Sequence, residues 1–509
     1  MSKNPANLAQ KLSQWPATAG RSLRQHPVRW ILTVLLIGLT VWLGWPFVAL
    51  LGHANDVRDL LQLAPGLAGL NGPRTYLILV QNEDELRATG GYITAAGTVT
   101  IERGRITRLA IEDSFAIDNP KLHYPLPPEP LHDYMDAPYW VLRDANWSPD
   151  FPTAAAVAEA FYTATRPQDI DGVVALDQTF LRIMLQATGP IQVPEFTQRI
   201  NADNVVALLR AAREPPPGET VSYEWWLHRK DSVPAVAQAM IHRLPWSNWG
   251  LLARAAIRAL DERHLMLTVN DPGDATILAK HGWDGALRPG SADYLMLVEA
   301  NIGFNKVNAV EQTRLDYQVD LSQPGGPTGT VTVTQTNPAE GTLPCDPGPD
   351  YGSGSYAELI ARCYWSYVRV YTQQAADFQG GTAQSVAGAL MPRGEPVTGT
   401  ISVAPGENGA QSLGALSVVP FASTGTTTFS YRLAPGAVTA GSEPGLQAYH
   451  LKLQKQGGIS GLPITLVVKL PAGAASVSGP AGGRRDGDTW RLDLLLVQDT
   501  EVALSFRLP

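Results

Sequence analysis

Clusters of charged and amide side chains in this sequence directly follow apolar strands or directly precede helices, which is where α/β folds place ligands. The first cluster follows an apolar strand and consists of Gln81, Asn82, Glu85, Arg87, Gly90 and Gly91. Arginine can hold a phosphate or carboxylate with two parallel hydrogen bonds, and glycine lets the backbone approach a ligand closely. The cluster therefore predicts an anion-binding loop. The alternative is that Glu85 pairs with Arg87 while the glycines only turn the chain.

A second cluster occupies one short loop ahead of a predicted helix and consists of Arg143, Asp144, Asn146 and Asp150. Carboxylates and amides are oxygen ligands for a hard cation such as Mg²⁺, so Asp144 and Asp150 are the predicted metal ligands. As the alternative, Asp150 caps the helix and Asp144 balances Arg143. Further candidates are a carboxylate at the end of a predicted hairpin and basic residues on consecutive helices, which are Asp113, Arg210, Arg213, Arg229 and Lys230.

Several kinds of chemistry are excluded by the sequence. It contains no Ser-His-Asp order, no nucleophile elbow and no phosphate-cradling P-loop. It contains no Cys-x-x-Cys pair, so a zinc site of that kind is not expected. The formal net charge of −8 excludes the basic footprint of a nucleic-acid-binding protein. Metal-assisted phosphoryl transfer is the remaining enzymatic chemistry that these residue types support.

The elements that position these side chains form two regions. Residues 72–310 alternate apolar strands with helical patterns, which predicts an α/β domain. Residues 311–509 alternate apolar and polar residues with a period of two, and glycine and proline separate the short runs. This second region therefore predicts an all-β sandwich, with an immunoglobulin-like arrangement as one option.

An apolar run from Trp30 to Leu51 precedes both regions and contains no charged residue. As a helix it would reach roughly 33 Å, which is enough to cross the hydrocarbon core of a bilayer. Residues 1–29 carry five basic residues and no acidic residue, so we expect a cytoplasmic amino terminus. A linker at 52–71 would then lead to an extracytoplasmic bulk. The alternative is a cleaved signal peptide, whose apolar region is usually shorter.

The sequence contains two cysteines, Cys345 and Cys363, both on the predicted outer side of the membrane. Because an oxidising compartment and an even count favour pairing, we expect one disulfide between them. The alternative is two unrelated buried thiols.

Several segments resemble the bacterial family catalogued as domain of unknown function 4012 (DUF4012). They are Tyr76–Gly91, Arg143–Pro152, Asp171–Pro190, Asp293–Lys306 and Tyr449–Gln456. The resemblance implies a single-anchor protein of the cell envelope and supplies no established activity.

A more distant resemblance is to the LytR-CpsA-Psr phosphotransferases, which attach polyprenyl-linked glycans to the cell wall. Asp171–Val193 is similar to a strand-helix segment of that family, and Asn146 to the asparagine ahead of the family's next helix. Asn204–Arg213 is similar to its helix of pyrophosphate-binding arginines, and Arg229-Lys230 to the basic group that follows. The spacing of Arg210 and Arg213 differs by one residue, and the family's Pro-Arg-Asp motif is absent.

Two hypotheses follow from the sequence. In the first, an anchored envelope protein binds or transfers a polyprenyl-pyrophosphate glycan or another wall polymer, with basic residues on pyrophosphate and Asp113, Asp144 and Asp150 near Mg²⁺. In the second, the protein is a non-catalytic surface scaffold or adhesin whose sandwich binds a partner. The sequence determines neither the glycan nor the oligomeric state.

Overall fold

The computed structural model describes residues 54–119, 121–214, 230–243, 249–349 and 355–509. The predicted basic tail at 1–29, the predicted membrane anchor at 30–51 and Arg229 all lie outside these ranges. Within the described ranges, no helix is both long enough and apolar enough to cross a bilayer.

The amino-terminal domain is built on a mixed sheet whose described strands have the order β3-β2-β1-β4-β5. Strands β1 and β4 are parallel neighbours, and the other adjacent pairs are antiparallel. The hairpin between β2 and β3 turns at Arg103 and Gly104, whose φ values of 51° and 74° suit a tight two-residue turn. The strands are β1 (Arg74–Asn82), β2 (Tyr92–Glu102), β3 (Arg105–Asp113), β4 (Gly172–Leu176) and β5 (Leu265–Val269).

Helices flank this sheet, and aspartates cap several of them. Asp150, Asp177 and Asp271 each accept hydrogen bonds from backbone N–H groups in the first turn of the helix that follows. The helices are α1 (Ala54–Leu67), α2 (Ser114–Ile117), α3 (Glu129–Tyr134), α4 (Phe151–Thr165), α5 (Gln178–Thr188), α6 (Val205–Ala211), α7 (Ser232–Arg243), α8 (Trp249–Asp261) and α9 (Pro272–His281). A 3₁₀ segment, Leu142–Trp147, precedes α4. The mixed α/β prediction for the amino-terminal region is therefore confirmed.

The carboxyl-terminal domain consists of two β-sheets in the described chain, which confirms the prediction of a β-rich second region. One sheet has the order β10-β13-β8-β7-β16-β19-β18, and the other has the order β11-β12-β9-β6-β15-β20-β17. Alternate residues from both sheets, such as Leu315, Tyr317, Val370 and Leu451, are buried in one shared core.

The strands of this domain are β6 (Asp293–Asn301), β7 (Gln312–Asp320), β8 (Thr328–Asn337), β9 (Tyr364–Gln373), β10 (Asp377–Thr382), β11 (Ser402–Pro405), β12 (Ala410–Val419), β13 (Ser423–Arg432), β14 (Val438–Ala440), β15 (Leu446–Leu453), β16 (Leu462–Lys469), β17 (Ala475–Ser478), β18 (Arg484–Asp486), β19 (Thr489–Leu496) and β20 (Thr500–Arg507). The short helix α10 (Tyr356–Ile360) precedes β9.

The predicted boundary between the domains, at residue 310, is wrong. Strand β6 was assigned to the α/β domain, yet it pairs with β9 and β15 in the sandwich. All nine of its residues are buried. Both kinds of sheet contain strands that are apolar on two faces, so the residue pattern alone could not choose between them.

The disulfide prediction is confirmed. Cys345 and Cys363 are bonded, with their Cα atoms 5.4 Å apart. The bond joins the segment after β8 to the start of β9, and α10 lies in the loop that it closes.

The two domains meet along a buried polar interface. Gln456, which follows β15, donates to the backbone oxygen of Arg87 over 3.0 Å and to that of Glu299 over 2.8 Å. Arg263, before β5, forms an ion pair with Asp499 of the sandwich at 2.8 Å. The carboxyl ends of β1 and β4 face this interface, so the polar residues after those strands lie close to it.

Candidate functional site

Arg87, predicted to bind an anion, is instead a buried structural residue. Its side chain is 0% exposed, and its Nε and Nη2 atoms donate to Asp144 Oδ1 over 3.1 and 3.0 Å. Its Nη1 atom donates to the backbone oxygen of Asn301 in β6. Glu85 is 3.6 Å away and also pairs with Lys306. The alternative in which Glu85 and Arg87 pair is therefore the better description, and the predicted anion grip is not formed.

The glycines of the first cluster turn the chain. Gly91 has φ +155°, and a Cβ atom there would lie 2.2 Å from the backbone oxygen of Asn82. The amide of Asn146 holds this turn in place, because its Nδ2 atom donates to Gln81, Thr89 and Gly91 over 2.7, 3.1 and 2.8 Å. Gly90 lies in the same turn with φ +141°. Asn146 and both glycines are thus positioning residues for β1 and β2.

The predicted Mg²⁺ site at Asp144 and Asp150 is also wrong, because the two carboxylates are used for different structural purposes. Asp144 balances Arg87. Asp150 accepts from the Thr153 backbone and hydroxyl through Oδ2, and from the Leu287 backbone and Asn408 amide through Oδ1. With Asp144 Oδ1 and both Asp150 oxygens held by protein donors, the pair offers few free oxygen ligands, and a hard cation needs several.

The remaining predicted catalytic residues, Arg143 and Asp113, are each held by an opposite charge. Arg143 Nη1 donates to Asp118 Oδ2 over 2.8 Å, and burial raises the pKa of Asp118 to about 6. Asp113 caps α2 and accepts from Lys230 Nζ over 2.8 Å. The structure therefore does not assemble Asp113, Arg143 and Asp144 into one reactive site.

Three of the predicted basic residues do converge, near the start of β2. Lys230 Nζ donates to the Thr94 backbone oxygen over 2.8 Å, and Arg213 Nη2 lies 3.4 Å from the Thr94 hydroxyl. Arg210 forms a two-bond ion pair with Asp84, at 2.8 and 2.6 Å. Arg213 forms no ion pair with a described carboxylate, and its buried Nε atom has no hydrogen-bond partner among the described residues.

A narrow cavity lies between these residues and the carboxyl ends of β1 and β4. Its polar lining comes from Asn82, Thr94, Asp177, Gln178, Arg210, Arg213 and Tyr356. Asn82 accepts from Gln178 over 2.6 Å and donates to the Tyr356 hydroxyl over 3.3 Å. From β1 the chain continues to β2 on one side, and from β4 it reaches β5 on the other. The cavity thus occupies the switch point at which open α/β sheets bind ligands.

Beside this cavity is a buried cluster that the sequence analysis missed, formed by Glu83, Asp177 and His264. His264 Nδ1 lies 2.7 Å from Asp177 Oδ2 and 3.7 Å from Glu83 Oε1. Among the described residues, these three form the one group of potential metal ligands whose donor atoms all lie within 4.8 Å of one another. One imidazole and two carboxylates are ligand types that zinc accepts.

Burial controls the protonation of this cluster. Burial raises the pKa of Asp177 to about 7 and that of Glu83 well above its usual range. Burial, helped by the nearby Lys455 charge, lowers the pKa of His264 to about 4. Burial also lowers the pKa of Lys455 to about 8. The carboxyls of the cluster therefore keep protons to a higher pH than exposed carboxyls do, beside an imidazole that is neutral near pH 7, and this arrangement suits general acid–base work.

A larger cleft of about 510 Å³ opens on the other side of Glu83, between the two domains. Its lining is rich in carboxyl groups, which belong to Glu83, Asp84, Asp203, Glu299 and Glu311. The Thr313 hydroxyl lies 2.7 Å from Glu299 and 2.5 Å from Glu311. Burial raises the pKa of both glutamates. The Thr313 hydroxyl has a single proton and can donate to one of the two carboxyls. A proton on the other carboxyl would let that carboxyl donate to the hydroxyl oxygen, so that both contacts are hydrogen bonds.

The missed residues left only weak signals in the sequence. Asp177 stands directly before a helix and caps it, and Glu83 lies within the first polar cluster without having been singled out. His264 comes directly before β5, and only the antiparallel pairing of β4 with β5 brings it to Asp177. Lys455 reaches the cluster from the second domain.

Comparison with known proteins confirms the DUF4012 resemblance. The model of the family described as "Protein of unknown function (DUF4012)" matches residues 71–213. That range contains strands β1 to β4 and helix α5. It also contains Arg210, which lies in α6, and Arg213, which follows α6. No curated protein matches the chain significantly.

Solved structures share only limited regions with the chain. An M1 zinc metallopeptidase from Deinococcus radiodurans is 12% identical with a TM-score of 0.21, over 39% of this chain and 42% of the metallopeptidase. Protein gbs0355 from Streptococcus agalactiae is 14% identical with a TM-score of 0.28, over 44% and 76% of the two chains. Lin1025 from Listeria innocua is 10% identical with a TM-score of 0.24, over 42% and 78%. These scores are too low to support an argument about function.

Proposed function

We propose that this chain is a membrane-anchored, extracytoplasmic protein of the cell envelope that binds the phosphate group of a lipid-linked glycan. The observation that carries the proposal is the convergence of Arg210, Arg213 and Lys230 beside the cavity at the ends of β1 and β4. A polyprenyl pyrophosphate carries the negative charge that such a group of donors accepts.

The charge balance of the cavity supports an anionic ligand. Asp84 neutralises Arg210, and Asp113 neutralises Lys230, so Arg213 supplies the uncompensated positive charge among these pairs. Its buried Nε–H has no partner in the described chain. An unsatisfied buried donor is costly, and a charge-assisted bond to a ligand oxygen would remove that cost.

The envelope location is supported by the sequence and by the disulfide. The apolar run at 30–51 and the basic residues before it predict a single span with the bulk outside. The Cys345–Cys363 bond suits an oxidising exterior.

Binding without transfer is the form of the hypothesis that the geometry supports best. The residues expected to hold Mg²⁺ are committed to structural bonds. A transfer reaction would have to use Glu83, Asp177 and His264, because Asp177 both belongs to that cluster and lines the cavity.

The test is a titration of the full chain, in detergent or nanodiscs, with polyprenyl pyrophosphate. Losing one charge-assisted hydrogen bond costs about 1.5–3 kcal/mol, so Arg213→Ala is expected to weaken binding roughly 10- to 100-fold. Arg254→Ala, on the exposed face of α8, is the control and is expected to bind normally. Equal affinity of the Arg213 variant and the control would overturn the proposal.

A second candidate is the non-catalytic scaffold or adhesin. It is favoured by β11, an edge strand of the sandwich whose four residues are all exposed. An exposed edge can pair with an extended segment of a partner protein. Normal partner binding by the Arg213→Ala variant, together with no measurable affinity for polyprenyl pyrophosphate, would favour this candidate.

A further inference from the structure

Helix α1 and the residues directly after it expose large apolar side chains to solvent. Leu61 is 69% exposed, and Leu70, three residues past the end of the helix, is 55% exposed. The opposite side of α1 is committed to the domain, because Leu63 is buried against α8 and α9. Asp59 also pairs with Lys280 and His281 at the end of α9.

The tip of the β2–β3 hairpin continues this surface. Arg103 and Gly104 donate backbone hydrogen bonds to Gly69 and Ala68, over 3.0 and 2.8 Å. Beside this contact, Ile106 is 40% exposed. The exposed face therefore combines three large apolar residues with Arg58 on α1 and Arg103 at the hairpin turn.

The place of α1 in the chain identifies what this face would meet. The predicted membrane span ends at Leu51 and α1 begins at Ala54. Three residue steps reach at most about 10 Å, so the first turn of α1 must lie at headgroup level if the span is inserted. Apolar side chains flanked by arginines are the composition of a helix that lies in a membrane interface.

We propose that this face, defined by Leu61, Leu70, Ile106, Arg58 and Arg103, lies against the outer surface of the bilayer that holds the anchor. The apolar side chains enter the headgroup region, and the two arginines contact lipid phosphates. The contact fixes the orientation of the α/β domain over the membrane. This inference rests on the anchoring part of the proposed function.

The test uses the full chain in nanodiscs that contain phosphatidylglycerol. Both native cysteines are engaged in the disulfide, so Leu61→Cys and Leu70→Cys each provide a single thiol for the fluorophore NBD. We expect blue-shifted emission at both positions and quenching by lipids that carry a nitroxide on the acyl chain. Leu495→Cys, 58% exposed on the sandwich, is the matched control and is expected to emit as in water.

The outcomes separate this inference from the proposed function. Alkaline extraction of membranes measures anchoring independently, and release of the full chain would overturn both the anchor and the membrane contact. If the chain resists extraction but the Leu70 label emits like the Leu495 label, the membrane contact alone is overturned. Leu70 is the decisive position, because Leu61 lies closer to the anchor in any orientation of α1.

Discussion

At the scale of single residues, the main feature is a buried group of titratable side chains that compensate one another. Glu83, Asp177 and His264 share one site, and Lys455 supplies a positive charge beside it. A buried charge without compensation is strongly destabilising, so the shifted pKa values express how the group stays close to neutral.

The His264 shift predicts a pH-dependent stability difference. Its pKa is lowered to about 4 in the folded state, so below pH 6.5 the unfolded chain takes up a proton that the folded chain refuses. His264 therefore costs stability as the pH falls from about 6.5 to about 4. We expect the free energy of unfolding of His264→Gln, relative to the native chain, to rise over this window by up to about 1.4 kcal/mol per pH unit.

Urea denaturation at several pH values measures this difference. His123→Gln is the matched control, because His123 is exposed in the loop between α2 and α3. The Asp177 pKa is raised to about 7, so this carboxyl acts in the opposite direction over the same window. For that reason the difference between variant and native chain is the quantity to measure. A difference that stays flat from pH 7 to pH 4 would contradict the assignment.

At the scale of elements, two aspartate caps that look alike in sequence have different roles. Asp271 caps α9 at the surface, and in the described part of the chain its carboxylate accepts from Gly273 and Asp274 alone. Asp150 caps α4 and also accepts from Leu287 and Asn408, which belong to the segment before β6 and to the sandwich. One carboxylate therefore ties helix α4 to the second domain.

This difference predicts unequal costs for the same substitution. Asp271→Ala is expected to lose about 1 kcal/mol, as is typical for an exposed cap. Asp150→Ala is expected to lose about 3 kcal/mol or more, because it also leaves buried donors unpaired. Chemical denaturation of both variants measures the two losses. Equal losses would mean that the bonds from Asp150 to Leu287 and Asn408 contribute nothing.

Local elements were predictable from the sequence because their signals are local. In the sequence, Asp177 directly precedes α5 and Gly189-Pro190 directly follows it, and Arg103-Gly104 lies at the hairpin turn. The partners of buried strands were not predictable in this way. Strand β6 pairs with β9 and β15, which are distant in sequence. An alternation of apolar and polar residues predicts a strand but does not indicate which strands it pairs with.

The residues of the candidate site show the same difference between local and long-range signals. Arg210, Arg213 and Lys230 were found because they lie on or beside helices that the sequence predicts, in segments that resemble a phosphotransferase family. Arg87 and Asp144 were misassigned because a charged residue near a strand end looks the same whether it binds a ligand or a buried partner. His264 was missed because its partner Asp177 lies 87 residues away in the chain.

At the scale of the whole molecule, the two domains are expected to unfold together. The Gln456 side chain, 2% exposed, makes three hydrogen bonds: two donated to the backbone oxygens of Arg87 and Glu299, and one accepted from the Glu299 backbone N–H. Calorimetry of the full chain should therefore show one transition for the two domains. We expect Gln456→Ala to lower the free energy of unfolding by about 3 kcal/mol or more, since it leaves several buried backbone groups unpaired.

The same variant should also make the two domains separable. With the interface weakened, the calorimetric transition is expected to broaden or split, while Gln379→Ala, on the exposed strand β10, should leave it unchanged. A single sharp transition at the native midpoint for Gln456→Ala would show that coupling resides elsewhere in the interface.

Helix α10 links the oxidation of one sulfur pair to the shape of a distant cavity. Tyr356 belongs to the loop that Cys345 and Cys363 close, and its hydroxyl donates to Asp84 and accepts from Asn82. Reductive opening of that loop would release the aromatic wall of the cavity, together with its contact to Arg210, whose guanidinium lies 6.0 Å from the centre of the Tyr356 ring. The cavity would therefore reach its full shape only in the oxidised protein.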